Sequence, residues 1–288
     1  MAGFSVIRDI LVQIWHVRTH LRHASKKPAG SYETLVTREQ AMHPLKEYLE
    51  LHVTARGLNR EQPETFNSRA RDAWIRSKAK IVPGGSRVLD VGAGTAPYRD
   101  LFSHCEYRTH DFAEYGKYQD GSEGQYTKLD YVSDICSIPV LNSSFDVVVC
   151  TEVLEHVPRP IDALQEMVRV LRPNGRLFIT APLGSGQHQQ PFNFYGGFTE
   201  FWYQKFLREF ACEVVEITPN HGFFAHLAQE CCRFGWTFDQ HEKLHGVNGK
   251  ELKTFMMELL APYLFGMDKE AFIRDFTVGF HVEACKSN

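Results

Sequence analysis

The sequence predicts an α/β protein built on an open, mostly parallel sheet, and three observations lead there. Short apolar runs (RVLDV, EYRTHDF, FDVVVC, RLFITA, EVVEI) recur between Arg87 and Ile217. They alternate with helical patterns such as Ile161 to Leu171 and Glu200 to Phe210, the mark of βαβ units. Phe145 to Cys150 is apolar throughout, as a central parallel strand buried on both faces must be.

Taken in order, Phe4, Ile7, Ile10, Leu11, Ile14, Trp15, Val17 and Leu21 fall at helical spacing opposite Arg8, Arg18 and His20, which predicts an amphipathic N-terminal helix. Residues 1 to 30 carry five Lys/Arg (8, 18, 22, 26, 27) against the single acid Asp9. Such a helix suits docking on its own domain or on a second copy in a homodimer, with peripheral contact to an anionic membrane as the alternative. Charges interrupt the stretch too often for a secretory h-region or a membrane span. Residues 26 to 63 read as a loop and a short helix, punctuated by Pro28, Gly30, Pro44, Gly57 and Pro63. A helix is expected from Thr65 to Ile81, ending at Pro83-Gly84-Gly85. Residues 1–67 are thus expected as a helical cap and 68–288 as the main domain. A helical insertion fills about 222–274, and the alternating run FTVGFHVEA (276 to 284) then adds an edge or inserted strand to the sheet.

The chain has 288 residues, 43% hydrophobic and 23% charged, which excludes a disordered, collagen-like or coiled-coil protein. A net charge of -3 argues against general nucleic-acid binding. Seven cysteines, scattered without CxxC or zinc spacing, read as reduced thiols of a cytoplasmic protein.

The strongest local signal is Val88-Leu-Asp-Val-Gly-Ala-Gly-Thr-Ala-Pro-Tyr98, an apolar strand, an acid, and glycines where strand turns to helix. Gly92, Ala93 and Gly94 let a ligand approach the backbone. Asp90 would repel a pyrophosphate, which disfavours a nucleotide-dependent oxidoreductase, and suits a ligand bearing an ammonium group instead. About twenty residues on, Asp111 stands at the end of the second strand, where ribose hydroxyls are gripped, with Phe112 beside it. Asp134 and Ile135 offer a carboxylate and a backbone amide to an adenine edge.

Together VLDVGAGTAPY, Asp111, SDICSIPV, SFDVVVCTEVLEHVPRP and LRPNGRLFITAP, spread over residues 68 to 217, resemble the class I S-adenosylmethionine-dependent methyltransferases, in particular the small-molecule group labelled type 11. The resemblance implies a Rossmann-like, seven-stranded sheet with an antiparallel last strand, and S-adenosyl-L-methionine as cofactor. It places Asp90, Gly92 and Gly94 on the methionine side and Asp111 on the ribose. Asp134 and Ile135 then meet the adenine, while Thr151 and Glu152 face the methyl-donor region. Ala96 departs from the pattern, since many members have a third glycine there.

If a helix starts after the fourth strand, Glu152, Glu155 and His156 share one face, and His188 from the next loop completes a two-Glu, two-His set that suits Mg, Mn or a borderline metal. That array resembles metal-assisted small-RNA 2′-O-methyltransferases and ubiquinone-pathway O-methyltransferases. Without a metal, His188 or His156, with a pKa near neutrality, is the expected general base for an acceptor hydroxyl. Phe192, Phe194, Tyr195 and Trp202 suggest an aromatic wall for a small-molecule, glycan or lipid-linked acceptor. A noncatalytic partner subunit keeping the cofactor fold is the reading from another class.

Overall fold

A computed structural model describes residues 38–58, 63–114, 126–239 and 249–288. The expected helix over 4 to 21, with its membrane and dimer readings, lies outside them. Among the described residues no helix is long and apolar enough to cross a membrane.

The chain forms two compact units, one of residues 65–222 and 274–288, the other of 1–64 and 223–273. Helix α1 (Arg38–Ala55) belongs to the smaller unit, and the larger unit opens with helix α2 (Phe66–Ala79). Strands β1 (Arg87–Val91), β2 (Glu106–Asp111), β3 (Tyr131–Val132) and β4 (Phe145–Thr151) follow, then helix α3 (Pro160–Val170). Strand β5 (Leu171–Pro182), helix α4 (Glu200–Glu209) and strand β6 (Cys212–Pro219) complete the first pass, and β7 (Gly279–Lys286) returns from the other unit. The order across the sheet is β3-β2-β1-β4-β5-β7-β6. All pairs are parallel except those of β7, which runs antiparallel between β5 and β6. The closing run is therefore an inserted strand, and this order with a reversed seventh strand is the Rossmann-like class I arrangement.

The alternation of side chains along β4 explains why the strand is apolar throughout. Val147 and Val149 pack with Phe178 against Ile75 and Ala79 of α2, while Val148 and Cys150 face Ala163, Leu164 and Met167 of α3 and Tyr203 and Leu207 of α4. Helix α3 begins with Pro160 at its first turn, where a missing N–H costs nothing, and α4 is capped by Thr199, whose side chain accepts the Trp202 amide at 3.3 Å. Position 96, which lacks the third glycine, still adopts the left-handed backbone such a glycine would favour (φ 55°).

The smaller unit joins α1 to α5 (Phe223–Asp239), a short α6 (Gly249–Thr254), a π-helical turn (Phe255–Leu260) and α7 (Ala261–Glu270). Its core is Leu49, Val53, Leu58, Phe224, Tyr263 and Met267. The short helix expected before residue 63 is instead 18 residues long and continues through position 44, because its apolar stripe from Leu49 to Val53 packs on α5 and α7. All seven cysteines are free thiols.

A charged cluster ties α2 to the reversed strand. Lys78 donates to Glu216 and, at 2.7 Å, to Glu283, which also receives Arg176. Burial would lower the Lys78 pKa, but the bonds from Glu216 and Glu283 outweigh it and raise the value. Glu283 is only 3% exposed, so removing its carboxylate strands Lys78. Glu283→Ala is expected to destabilise the protein by about 3 kcal/mol in urea unfolding; a loss under about 1 kcal/mol would mean the cluster is not holding the strand.

Candidate functional site

The C-terminal ends of β1, β2, β3 and β4 open into a cavity of about 610 Å³, at the point between β1 and β4 where the strand order reverses direction. The glycine turn forms its floor. Gly92 and Ala93 donate their amides to the His110 carbonyl at 2.9 and 3.0 Å, which locks the ends of β1 and β2 together. Gly92 has φ 71°, and a Cβ there would run into the Val153 side chain, so only glycine serves at this position. Gly94 donates to Asp111 Oδ2 at 3.0 Å and Ala113 to Oδ1 at 3.1 Å. Asp111 thus presents its remaining lone pairs to the cavity it lines, which is what two vicinal hydroxyls require.

Phe112, Asp134 and Ile135 also line the cavity. Asp134 caps its own turn, accepting the Cys136 amide at 2.8 Å. Glu152 sits just past β4 with φ 53°, its amide donating to the Thr180 carbonyl and its Oε1 accepting from Thr180 Oγ1 at 2.7 Å. That left-handed residue bends the chain out of the sheet, and its side chain reaches the cavity wall. Residues Leu154–His156 then form a single 3-10 turn.

Asp90 differs from its expected place. It is 2% exposed, does not line the cavity and accepts a hydrogen bond from Tyr107. Burial pushes its pKa up to about 7, against that bond and with the Asp111 charge adding to the rise. Ala93 and Thr151 also stand back from the cavity, Thr151 being the last residue of β4, beside Thr180.

The expected four-ligand set is also altered. Because the chain turns at Glu152 instead of starting a helix, the Glu152 carboxylate is taken by Thr180, and the group that could hold an ion among the described residues is Glu155, His156 and His188. The ligand atoms of these three lie within 4.8 Å of one another, and Glu155 Oε1 stands 3.8 Å from His156 Nε2. Glu155 is 1% exposed and its Oε2 is buried without a partner. Burial, then the Glu152 charge, raises its pKa to about 8. The His156 ring donates from Nδ1 to the Phe192 carbonyl at 2.6 Å, which leaves Nε2 without a proton. Burial lowers the His156 pKa to about 4, against that bond and helped by His188, so His156 is not the near-neutral imidazole expected of a base. His188 crosses His156 edge to face at 4.8 Å and does not line the cavity.

Of the aromatic wall, Phe192 and Phe194 reach the cavity. Tyr195 instead donates to the Pro158 carbonyl at 3.2 Å, and Trp202 packs with Phe198 and Phe206 beside the core. Sequence reasoning missed Glu114, Tyr126, Val153, Pro158 and Gln189 in the lining. Val153 and Pro158 fall inside the quoted SFDVVVCTEVLEHVPRP and Gln189 follows His188, but nothing in their type or spacing marks them as cavity residues.

Residues 89–179 match the family described as "Methyltransferase domain". The tRNA (carboxymethyluridine(34)-5-O)-methyltransferase ALKBH8 of Mus musculus is 30% identical over 61% of this chain and 28% of its own length. A ubiquinone biosynthesis O-methyltransferase of Xanthomonas axonopodis pv. citri is 30% identical over 35% of this chain and 45% of its own. The chain spans less than half the length of either. Among solved structures, phosphoethanolamine N-methyltransferase 2 of Haemonchus contortus, in complex with S-adenosyl-L-methionine, aligns at TM-score 0.43 and 14% identity over 76% of this chain and 52% of that one.

An acid whose pKa rises on folding holds a proton that the unfolded chain releases, so its contribution is whole at low pH and is lost as pH climbs through the folded value. For Asp90 that loss ends near pH 7. His156 and His281, both lowered to about 4 by burial, lose stability only below their unfolded value of about 6.5, so they stay constant above it. Glu155, raised to about 8 in the same way, carries the loss on to about pH 8, so the ligand-free protein is expected to melt at lower temperature as pH rises from about 6.5 to 8, with the part of the fall below pH 7 flatter in Asp90→Asn. An Asp90→Asn profile as steep as the wild type's below pH 7 would contradict a raised Asp90 pKa.

Proposed function

From the premise that the domain spanning residues 89–179 belongs to the class I S-adenosylmethionine-dependent methyltransferases, we propose that this protein transfers a methyl group to a hydroxyl of a small-molecule, glycan or lipid-linked acceptor. The observation that carries the reading is the cavity at the strand-order reversal, where a turn that only glycine can form and the open lone pairs of Asp111 meet. The residues fit the cofactor: Gly92 and Gly94 accommodate close approach, Asp111 takes the ribose hydroxyls, and Phe112 and Ile135 flank the base. When bound, S-adenosylmethionine supplies an electrophilic methyl on a good leaving group.

The protein's part is then position and dryness. Glu152 on the cavity wall is fixed by Thr180. The unprotonated Nε2 of His156, held in that tautomer by Phe192, accepts a hydrogen bond from an acceptor hydroxyl and orients its oxygen; with a pKa near 4 it is a weak proton sink. The names of the tRNA and ubiquinone relatives, both oxygen methyltransferases, support a hydroxyl acceptor. The net charge of -3 favours a small acceptor over an RNA strand.

Calorimetric titration with S-adenosylmethionine and S-adenosylhomocysteine, with NADH as control, tests the reading. Binding of the first two alone is expected, and Asp111→Ala is expected to weaken both at least tenfold, about 1.4 kcal/mol. No binding by the wild type would favour the noncatalytic partner subunit.

A second reading is favoured by the partnerless Oε2 of Glu155 beside His156 and His188, which together could hold a divalent ion. Methyl transfer abolished by EDTA and restored by Mg or Mn is its expected outcome, and full activity in EDTA would remove it.

A further inference from the structure

The loop after β5, which carries Phe192, Phe194 and Tyr195 of the expected acceptor wall, is fastened to the turn that follows β4. Phe194 and Tyr195 both donate their amides to the Glu155 carbonyl, at 3.0 and 3.2 Å, and the Tyr195 hydroxyl reaches the Pro158 carbonyl. The Phe192 amide turns back to the Gln189 carbonyl at 3.0 Å, while its own carbonyl takes the His156 proton. These bonds carry the loop over the turn that follows β4. They leave the Phe192 ring over the Phe112 ring, edge to face at 5.2 Å between centroids. Phe112 follows Asp111 directly, and both rings line one cavity with Asp134 and Ile135. Gln189 lines it too, from a left-handed backbone (φ 52°).

We infer that Phe192 is a cofactor-binding residue: with Phe112 it roofs the adenosine end of the cavity, and the loop that bears it is a lid on the cofactor. The assignment rests on the methyltransferase reading and deepens it. Two faces make the geometry fit. A purine offers a flat π-surface, and an aromatic roof holds it by contact without choosing its hydrogen-bond partners. The lid is tied to the His156 ring, so the residue that orients the acceptor also sets the height of the roof. Cofactor residence and acceptor alignment thus depend on the same imidazole.

Phe192 is half-buried, and its truncation removes none of the sheet core. The full chain and its Phe192→Ala and Phe192→Leu variants are titrated with S-adenosylhomocysteine and with 5′-methylthioadenosine, which keeps the adenosine and lacks the amino-acid end. Phe192→Ala is expected to weaken both ligands by the same factor, about tenfold or more, with Phe192→Leu in between and melting temperatures unchanged. Wild-type affinity of Phe192→Ala for both ligands overturns the roof and returns Phe192 to the acceptor wall. A loss for S-adenosylhomocysteine alone also overturns it, by placing the contact at the amino-acid end. If Phe192→Ala does not fold, the Phe192→Leu ratio decides in the same way. A wild-type chain that binds neither ligand instead overturns the methyltransferase reading beneath it.

Discussion

The close approach of Gly92 to Val153 is the constraint on which the site depends. It brings the turn after β1 against the turn after β4, and the His110 carbonyl, bonded to the Gly92 and Ala93 amides, draws the end of β2 to the same point. Three parallel strands therefore finish together around one missing Cβ. The cavity is the space left where their turns diverge, and Asp111, Glu152 and the lid are all placed relative to it. A parallel sheet always ends its strands on one side, but only a close contact of this kind makes their turns share one wall.

The site is kept electrically quiet by burial. Asp90 and Glu155 are driven toward the protonated state and His156 toward the neutral one, so burial reduces the charge on all three. At Asp111 two backbone amides meet the carboxylate as donors and fix its orientation. A cationic, flat, hydroxyl-bearing ligand suits a site in which the polar contacts are fixed and the remaining walls are aromatic or aliphatic.

Much of this was legible in the sequence because it was local. The apolar β4 run, the glycine turn and Asp111 each answer a requirement of the nearest few residues, and the structure finds them at the strand ends expected. What was not legible depends on non-local geometry. ExxEH reads as a helical face, yet the chain turns left-handed at Glu152 because Thr180 on the neighbouring strand takes both its amide and its carboxylate. Asp90 reads as a ligand contact, yet Tyr107 of β2 claims it. The length of α1 was hidden by Pro44, since its stability comes from partners about 170 residues and more away in the chain. Phe192 was legible as a site residue, and it lines the cavity, but which carbonyls its loop bonds to was not, since Gln189, Glu155 and Pro158 are chosen by the fold around the loop.

The placement of β7 between β5 and β6 has a consequence for assembly. Among the described residues β6 makes ladder bonds to β7 alone, so during synthesis it emerges unpaired and waits until β7, about sixty residues later in the chain, follows it. The late strand also delivers Glu283 to Lys78 and Arg176, so the charged cluster and the last two ladders form in one step. Closure of this sheet is thus a long-range event, and the exposed edge of β6 before β7 joins it is where a nascent chain would pair wrongly with another.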